Sequence, residues 1–252
     1  MPFCPYVGLQ PFTEDDRDYF FGREREQRII SSNLYAAPLT VLYGASGVGK
    51  SSILRAGVVP HLQSARRTAV VYFNHWQDPK ESSFLAELKF ECLKVVEGLR
   101  GQPLSMGNAR TSTEFLRDPA QPREVVERVK SCIGQPFDEF LHTAAHQLKS
   151  ALLIVLDQFE EYFLYHPEDQ ADASFDAEFA SAVNSGDAAL GFVIALRDDW
   201  LSRLDRFQGR IPNLLSNTYR LEQLSTIAAE DAIRKPLEVY NRKPCERRSG
   251  IH

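Results

Sequence analysis

The sequence predicts an α/β domain in which helices flank a mostly parallel five-stranded sheet. The chain has 252 residues, a length that suits one large hydrophobic core. Short apolar runs alternate along it with segments of helical periodicity, which is the order of βαβ units. The runs are continuously apolar, as in strands that are buried on both faces of a parallel sheet. Together these observations predict an open, doubly wound sheet.

Five apolar runs are the predicted strands. Each is short and rich in Val, Ile, Leu or aromatic residues, and the pattern is weaker in the fifth run than in the others. The predicted strands are Leu39–Tyr43, Ala69–Phe73, Leu152–Leu156, Phe192–Leu196 and Thr218–Leu224.

Helical patterns lie before and between these strands. In the clearest one, Phe137, Phe140, Leu141, Ala144 and Leu148 recur at helical spacing. A segment rich in Gly, Pro, Ser, Asn and Thr, residues 101–123, is instead predicted to be a long surface loop. The predicted helices are Glu24–Leu34, Ser51–Val59, Ser83–Leu99 and Phe137–Lys149, and a further helix is expected to start within Glu230–Tyr240.

Composition excludes several classes of protein. The pI of 5.7 does not support nucleic-acid binding through a globally basic surface. No apolar stretch approaches the roughly 18 residues of a membrane span, and the first residues lack a secretory-signal pattern. The four cysteines form no CxxC pair, so we expect reduced thiols in a cytoplasmic protein. They are Cys4, Cys92, Cys132 and Cys245.

The net charge of -5 is a sum of opposed segments. Residues 150–196 contain nine acidic residues and no Lys or Arg, whereas residues 234–252 contain six basic and two acidic residues. The second segment is interpreted as a basic tail or as the break point of a truncated chain. The acidic residues of the first segment are Asp157, Glu160, Glu161, Glu168, Asp169, Asp172, Asp176, Glu178 and Asp187.

The strongest motif follows the first predicted strand directly and fits GxxxxGK[ST] at every fixed position. Backbone N–H groups of such a loop, together with the N-terminus of the next helix, would surround phosphate oxygens. Lys50 would reach the β- and γ-phosphates, and the Ser51 hydroxyl would ligate Mg²⁺. The alternative is a glycine-rich strand-to-helix turn with an exposed Lys. The candidate nucleotide-binding residues are Gly44, Ala45, Ser46, Gly47, Val48, Gly49, Lys50, Ser51 and Ser52.

Asp157 ends the most apolar predicted strand, where a carboxylate for the metal is expected. It would bind Mg²⁺ opposite Ser51, through water. Glu160 or Glu161 would orient or deprotonate the attacking water. The alternative is that the Glu pair only begins a solvated helix.

Arg197 ends the fourth predicted strand and would face the same crevice, because ligands of open α/β sheets bind at the carboxyl ends of strands. There it would sense or stabilise the γ-phosphate charge. A structural salt bridge to Asp198, Asp199 or another acid is an equally weighted alternative.

These segments together resemble the STAND class of P-loop ATPases, and more specifically the bacterial novel STAND NTPase 1 domain. The spacing of the Asp-Gln-Phe-Glu-Glu segment is also similar to the NACHT branch of that class. Besides the phosphate loop, the segments that carry the resemblance are Cys4–Phe12, Asp18–Glu24, Leu156–Glu161, Ala195–Trp200 and Ala232–Pro236.

The resemblance implies further roles and a function. Gly22 and Arg23 would lie near the adenine and ribose, and Pro236 would pack by the base from a helical lid. From the residues alone, Arg23 would cap nearby acids and Pro236 would break a helix near the chain end. The implied function is a signalling ATPase that binds ATP or ADP with Mg²⁺, hydrolyses ATP slowly, and associates with itself or with partner proteins.

The predicted organisation has three parts: an N-terminal segment at residues 1–34 with the adenine-side motif, a P-loop NTPase core at 35–224, and the beginning of a helical lid with the basic tail at 225–252. Because such a lid would normally continue, a non-hydrolysing ATP-binding module or a fragment of a larger receptor is the alternative function. A small-molecule kinase or a motor is a third.

Overall fold

Parallel strands form one five-stranded sheet in the order β2-β3-β4-β1-β5. The computed structural model describes residues 5–66, 68–106, 109–148, 150–167 and 174–242. All strand pairs in these ranges are parallel, as predicted. The strands are β1 (Leu39–Gly44), β2 (Ala69–Phe73), β3 (Leu152–Leu156), β4 (Leu190–Arg197) and β5 (Thr218–Arg220).

The strand register brings the carboxyl ends together at one edge of the sheet. Gly44 at the end of β1 lies opposite Arg197 at the end of β4. Leu156 at the end of β3 lies opposite Phe73 at the end of β2. Since β4 lies between β1 and β3, the residues that follow all three strands share this edge.

Helices cover the two faces of the sheet. The α-helices are α1 (Glu24–Ala36), α2 (Lys50–Ser52), α3 (Val59–Arg66), α4 (Phe84–Leu99), α5 (Ser112–Arg117), α6 (Arg123–Gly134), α7 (Phe137–Leu148), α8 (Glu160–Tyr165), α9 (Ser174–Asn184) and α10 (Thr226–Arg242). Two 3₁₀ helices span Glu14–Tyr19 and Asp198–Phe207. None of the helices in these ranges is long and apolar enough to cross a membrane.

Several predicted boundaries were wrong. The predicted loop 101–123 contains α5, because the Thr111 side chain caps its N-terminus by accepting a hydrogen bond from the N–H of Glu114 at 3.2 Å. The helix predicted at 51–59 runs on from Lys50 to Arg66 through a π-helical segment, Ile53–Val58. The fifth strand ends at Arg220 rather than Leu224.

The last helix also differs from its prediction. It begins at Thr226, and Pro236 lies inside it without ending it. Proline at that position removes one backbone N–H from the helix but leaves the following turns intact. Helices α6 and α9 were not predicted. Helix α8 was foreseen only in the alternative that the glutamate pair begins a solvated helix, and its Tyr162 and Phe163 are buried.

Two hydrophobic clusters lie on opposite faces of the sheet. One is rich in aromatic residues and contains Trp76, which is fully buried and packs edge-on against Phe159 at 4.9 Å between ring centroids. The other is aliphatic and includes Ile30, Ile53 and Leu221. Burial on both faces explains why the central strands have no polar alternation.

The structure describes two of the four cysteines, Cys92 and Cys132. Cys92 is buried and Cys132 is half-buried, and both are free thiols. Burial raises the pKa of both thiols, so neither is poised as a nucleophile. Cys4, Cys245 and the basic tail from residue 243 onward lie outside the described residues.

Candidate functional site

The phosphate loop connects β1 to α2 at the carboxyl edge of the sheet. Gly47 and Gly49 have φ values of 75° and 99°, a region that favours glycine. Gly44 is required for a different reason, because a Cβ there would lie 2.5 Å from the carbonyl oxygen of Leu221. Two of the glycines therefore shape the loop, and the third lets the chain after β5 pass close to it.

Lys50 is buried within this loop, with 9% of its surface exposed. Its Nζ donates to the carbonyl oxygens of Gly44 at 2.8 Å and Ala45 at 3.0 Å. Burial lowers the pKa of Lys50, while the nearby charges of Glu160 and Asp157 oppose that shift. The ammonium group is thus largely desolvated and hydrogen-bonded to the loop.

Asp157 follows β3 and is almost completely buried, with 1% of its surface exposed. Two main-chain hydrogen bonds fix it: its N–H donates to the carbonyl of Phe73 at 2.9 Å, and its carbonyl accepts from Trp76 Nε1 at 2.8 Å. Oδ2 accepts a hydrogen bond from the hydroxyl of Tyr72, whereas the buried Oδ1 has no protein partner. A buried carboxylate oxygen without a partner is expected to have another ligand.

Tyr72 is a site residue that sequence reasoning missed. Burial raises the pKa of its phenol above the usual range, and the charge of Asp157 adds to that effect. Its hydroxyl donates to Oδ2 of Asp157, and Ser51 is close enough to influence its pKa, so Tyr72 lies beside both predicted Mg²⁺ ligands. The available signal was a polar hydroxyl on the penultimate residue of an otherwise apolar strand that ends at the site edge.

The arrangement around Tyr72 fits a magnesium ion. Ser51 supplies a hydroxyl oxygen and Asp157 a carboxylate oxygen, which are the hard donors that Mg²⁺ takes. Both groups lie near Tyr72, and Oδ1 of Asp157 has no protein partner. Two protein oxygens leave the other positions to water and phosphate, as is usual for this ion.

The adjacent glutamates Glu160 and Glu161 face different surroundings. Glu160 lies toward Lys50, and its Oε2 accepts a hydrogen bond from the N–H of Arg197 at 3.3 Å. Burial raises the pKa of Glu160, against the attraction of Lys50. Glu161 instead lines a separate cavity of about 510 Å³ together with Trp76 and Arg110.

A left-handed residue produces this divergence. Gln158, directly after Asp157, has a φ of 52°, which is uncommon for a residue with a side chain. The next N–H, of Phe159, donates to the carbonyl of Ala195 on β4 at 2.9 Å. The turn thereby starts α8 close to β4 and directs Glu160 toward the phosphate loop. Strained turns of this kind cluster at functional sites.

Arg197 lies at the site edge but its guanidinium is held by an acid. Nε and one terminal nitrogen donate to the two carboxylate oxygens of Asp199 at 3.0 and 2.6 Å. This is the structural ion pair that the sequence offered as an alternative. The side chain is 42% exposed, and an exposed ion pair of this kind contributes little to stability.

Gly22 and Arg23, which were predicted to lie near the adenine and ribose, pack at the border between the N-terminal segment and α10. Gly22 has a φ of 87°, and a Cβ there would lie 2.3 Å from the carbonyl oxygen of Ala228. Arg23 is buried and donates to the side chain of Glu26 at 2.9 Å and to the carbonyl of Val48 at 3.0 Å. The Arg23 side chain therefore supports the phosphate loop from outside.

Pro236 and Ser52 complete the predicted set. Pro236 is the residue of α10 that is buried, and α10 packs on the 3₁₀ helix Glu14–Tyr19. Ser52 Oγ accepts a hydrogen bond from the N–H of Phe12 at 3.1 Å. Both contacts tie the N-terminal segment to the region around the phosphate loop, and direct contact of either residue with a nucleotide stays a prediction.

Comparison with known proteins agrees with this geometry. The family model described as "Novel STAND NTPase 1" matches residues 5–244. The solved structure of the Walker-type ATPase of Pyrococcus abyssi has a TM-score of 0.55 and 18% sequence identity, and the match covers 92% of this chain. It covers 62% of that chain, so the present sequence spans less than two thirds of its length. At this identity the likeness concerns the fold.

A second solved structure is titled as the Aeropyrum pernix ORC2 protein in ADPNP–ADP complexes. It has a TM-score of 0.44 and 15% identity, and the match covers 80% of this chain and 47% of that one. No sequence among the curated proteins matches the chain.

Proposed function

Because the chain belongs to the Novel STAND NTPase 1 family, we propose that it is an ATP–Mg²⁺-dependent molecular switch that hydrolyses ATP slowly. The observation that carries the proposal is the meeting of the phosphate loop with a buried Asp157 whose Oδ1 has no protein partner. A phosphate loop and a desolvated carboxylate at one sheet edge are the two parts that a triphosphate and its metal require.

In the proposed complex, loop N–H groups and Lys50 bind the phosphates. Lys50 exchanges the carbonyls of Gly44 and Ala45 for β- and γ-phosphate oxygens, which are better acceptors for a buried ammonium. Ser51 and Asp157 hold Mg²⁺, which supplies charge neutralisation at the transferring phosphoryl group.

We assign the positioning of the attacking water to Glu160 rather than to Glu161. Only Glu160 among the two is directed at Lys50 and hydrogen-bonded to the end of β4. Its raised pKa places it nearer to the range of a useful general base than an exposed carboxyl would be. Arg197 is proposed to leave Asp199 and bind the γ-phosphate when one is present.

The switch element is proposed to be α10 with the N-terminal segment. The two elements contact each other at Gly22, and the N-terminal segment contacts the phosphate loop through Arg23, so a nucleotide bound there would bias their relative position. We keep residues 1–34, 35–224 and 225–252 as the N-terminal segment, the NTPase core and the start of a lid. Partner proteins, self-association, a signalling role and a cytoplasmic location belong to the proposal as family-level expectations.

The experiment that tests nucleotide binding is thermal unfolding with and without ATP–Mg²⁺. The parent protein is expected to unfold at a higher temperature with the nucleotide, because binding to the folded state alone stabilises it. Lys50→Ala is expected to lose that increase. An equal increase in both proteins, or none in the parent, would contradict the proposal.

A second function is favoured by one observation, the bidentate ion pair of Arg197 with Asp199. If this pair persists with ATP bound, the protein would bind ATP without turning it over and act as a nucleotide-stabilised interaction module. Release of inorganic phosphate in single-turnover conditions separates the two functions. Phosphate release that depends on Glu160 supports the switch, and its absence together with ATP-dependent stabilisation supports the module.

A further inference from the structure

Two histidines and an aspartate bring three metal-binding groups together outside the nucleotide site. His142 and His146 lie one turn apart on α7, and Asp187 lies between α9 and β4. One nitrogen of each imidazole and one carboxylate oxygen all lie within 4.8 Å of one another. Among the described residues, this is the one group of three or more such side chains with this geometry.

The helix α7 presents both histidines on its exposed side. Its buried face consists of Phe137, Phe140, Leu141, Ala144 and Ala145. The histidines have i, i+4 spacing on the opposite side, so their rings are neighbours, with centroids 4.4 Å apart. A helix with this spacing offers two imidazole nitrogens to a single ion.

Asp187 is already held in position by its own loop. Its Oδ1 accepts from the N–H of Ala189 at 2.8 Å, and its carbonyl accepts from the N–H of Leu190 at 3.0 Å. Its N–H donates to the hydroxyl of Ser185 at 3.3 Å. Because Oδ1 is engaged, Oδ2 is the oxygen that faces His142, 4.0 Å from Nε2. This ligand needs little ordering when an ion binds.

We propose that His142, His146 and Asp187 form a binding site for a divalent transition-metal ion, with Zn²⁺ as the expected occupant. Two imidazoles and one carboxylate suit this ion, whose bond lengths of about 2.0–2.2 Å place tetrahedral ligands about 3.3 Å apart. The ligand atoms here lie within 4.8 Å of one another, so they must approach each other by up to about 1.5 Å. Both histidine side chains are exposed, so rotation of their rings is not blocked by burial.

Three protein ligands leave the fourth position of the ion open. A groove of about 330 Å³ adjoins the site and is lined by Ala145, His146, Ser150, Asp187 and Ala189. Water or a small anion fits there as the fourth ligand, which is the coordination of an open rather than a closed zinc site.

The metal site lies at the edge of the sheet opposite the phosphate loop. Leu190 begins β4 beside Asp187, and Arg197 ends the same strand at the nucleotide site. Eight residues of strand separate the two places by roughly 23 Å. The ion would therefore join α7 to the α9–β4 loop without touching a nucleotide-binding residue.

The test is a titration of the chelator-treated protein with Zn²⁺ in the presence of excess Mg²⁺, which keeps the nucleotide-site carboxylates occupied. We expect one equivalent of Zn²⁺ to bind and to raise the unfolding temperature by about 5–10 °C at a hundredfold excess over Kd. Co²⁺ serves as a second probe, because the intensity of its visible absorption distinguishes four-coordinate from six-coordinate ions.

The variants His146→Ala and Asp187→Asn are expected to weaken Zn²⁺ binding at least tenfold. His61→Ala removes an exposed histidine from helix α3 that belongs to no such cluster, and it should leave binding unchanged. ATP-dependent stabilisation checks that each variant is folded. Absence of Zn²⁺ binding in the parent, or equal affinity in the parent and His146→Ala, would overturn the proposal.

Discussion

At the residue scale, the site depends on a few buried charges whose surroundings differ sharply over short distances. Glu160 and Glu161 are adjacent in sequence, yet one is directed at Lys50 and the other at a cavity beside Trp76. The same is true of the two oxygens of Asp157, of which only Oδ2 has a protein partner. Substitutions that change only one or two atoms of a side chain therefore test the role of each group.

Glu160→Gln is expected to reduce ATP hydrolysis by a factor of about 10² or more while ATP binding persists, because the amide cannot accept a proton from water. Glu161→Gln is the matched control and should hydrolyse ATP within about twofold of the parent. Steady-state phosphate release measures both. A larger loss in Glu161→Gln than in Glu160→Gln would reverse our assignment.

Tyr72→Phe removes the hydroxyl between Asp157 and Ser51 and leaves a second buried oxygen of Asp157 without a donor. We expect the free energy of unfolding of the nucleotide-free protein to fall by about 1–3 kcal/mol. Added ATP–Mg²⁺ should recover part of the loss, because Mg²⁺ compensates the carboxylate. Chemical denaturation with and without ATP–Mg²⁺ measures this.

Tyr35→Phe is the control for that experiment. Its hydroxyl lies 3.3 Å from the hydroxyl of Thr68 at the far edge of the sheet, and the side chain is exposed. Its removal should change the free energy of unfolding by about 1 kcal/mol or less, and this change should not depend on the nucleotide. The same dependence on ATP–Mg²⁺ in both variants would remove Tyr72 from the site.

At the element scale, sequence patterns predicted the central strands well and the surface helices poorly. Strands β1 to β4 are apolar because both faces of the sheet are covered, so their pattern is local and was read within two residues. Helix α5 was missed inside a polar segment, although Thr111 and Glu114 have the spacing of a capping box.

Contacts between elements that are distant in the sequence could not be predicted from local patterns. Arg23 was expected near a nucleotide, but no local pattern indicates its hydrogen bond to Val48, 25 residues away. The divergence of Glu160 and Glu161 depends on the left-handed Gln158 and on β4, which also cannot be seen in the spacing. The phosphate loop itself was predictable because its chemistry requires one continuous stretch of sequence.

The packing of α10 against the N-terminal segment gives a prediction at this scale. Gly22→Ala would place a Cβ 2.3 Å from the carbonyl oxygen of Ala228 and displace the helix. We expect faster amide hydrogen exchange throughout 226–242. Gly8→Ala shares the positive φ, at 71°, but has no atom within 4 Å of the added Cβ.

This control separates backbone strain from steric displacement. Both substitutions introduce a left-handed alanine, which costs about 1 kcal/mol. Only the Gly22 variant should speed hydrogen exchange in α10. If both variants exchange equally fast there, the close approach of Gly22 to Ala228 is unimportant.

At the scale of the whole molecule, the buried charges at the site lower the stability of the fold while nucleotide binding is proposed to need them. Burial raises the pKa of Glu160 and lowers that of Lys50, so each is less stable in its charged form than in the unfolded chain. Such groups are retained where binding requires them, at the expense of the free energy of folding.

The pH dependence of unfolding follows from these two shifts. Below the unfolded pKa of 4.5, the Glu160 carboxyl is protonated in both states and the protein keeps its full stability. As pH rises through the higher folded pKa, that stability is lost, because the buried carboxyl must then carry its charge. Lys50 acts oppositely: its penalty persists below the lowered folded pKa and disappears as pH rises toward 10.5. Near neutral pH both penalties are present.

Glu160→Gln should therefore unfold at a higher temperature than the parent at pH 7, with a difference that shrinks as pH falls through the raised folded pKa toward 4.5. The amide retains an oxygen for the N–H of Arg197. Calorimetry at several pH values, with Glu161→Gln beside it, measures the effect. A lower unfolding temperature of Glu160→Gln at neutral pH would contradict the sign.

The close approach of Gly22 to Ala228 also decides how movement passes through the molecule. Two side chains in contact can absorb a displacement by changing rotamer, whereas main chains in direct contact have no such freedom. A tilt of α10 would therefore move the Gly22 turn, and the neighbouring Arg23 would carry the shift to the carbonyl of Val48. The fold thus places α10 two contacts away from the phosphate loop, one between main chains at Gly22 and one through the Arg23 side chain.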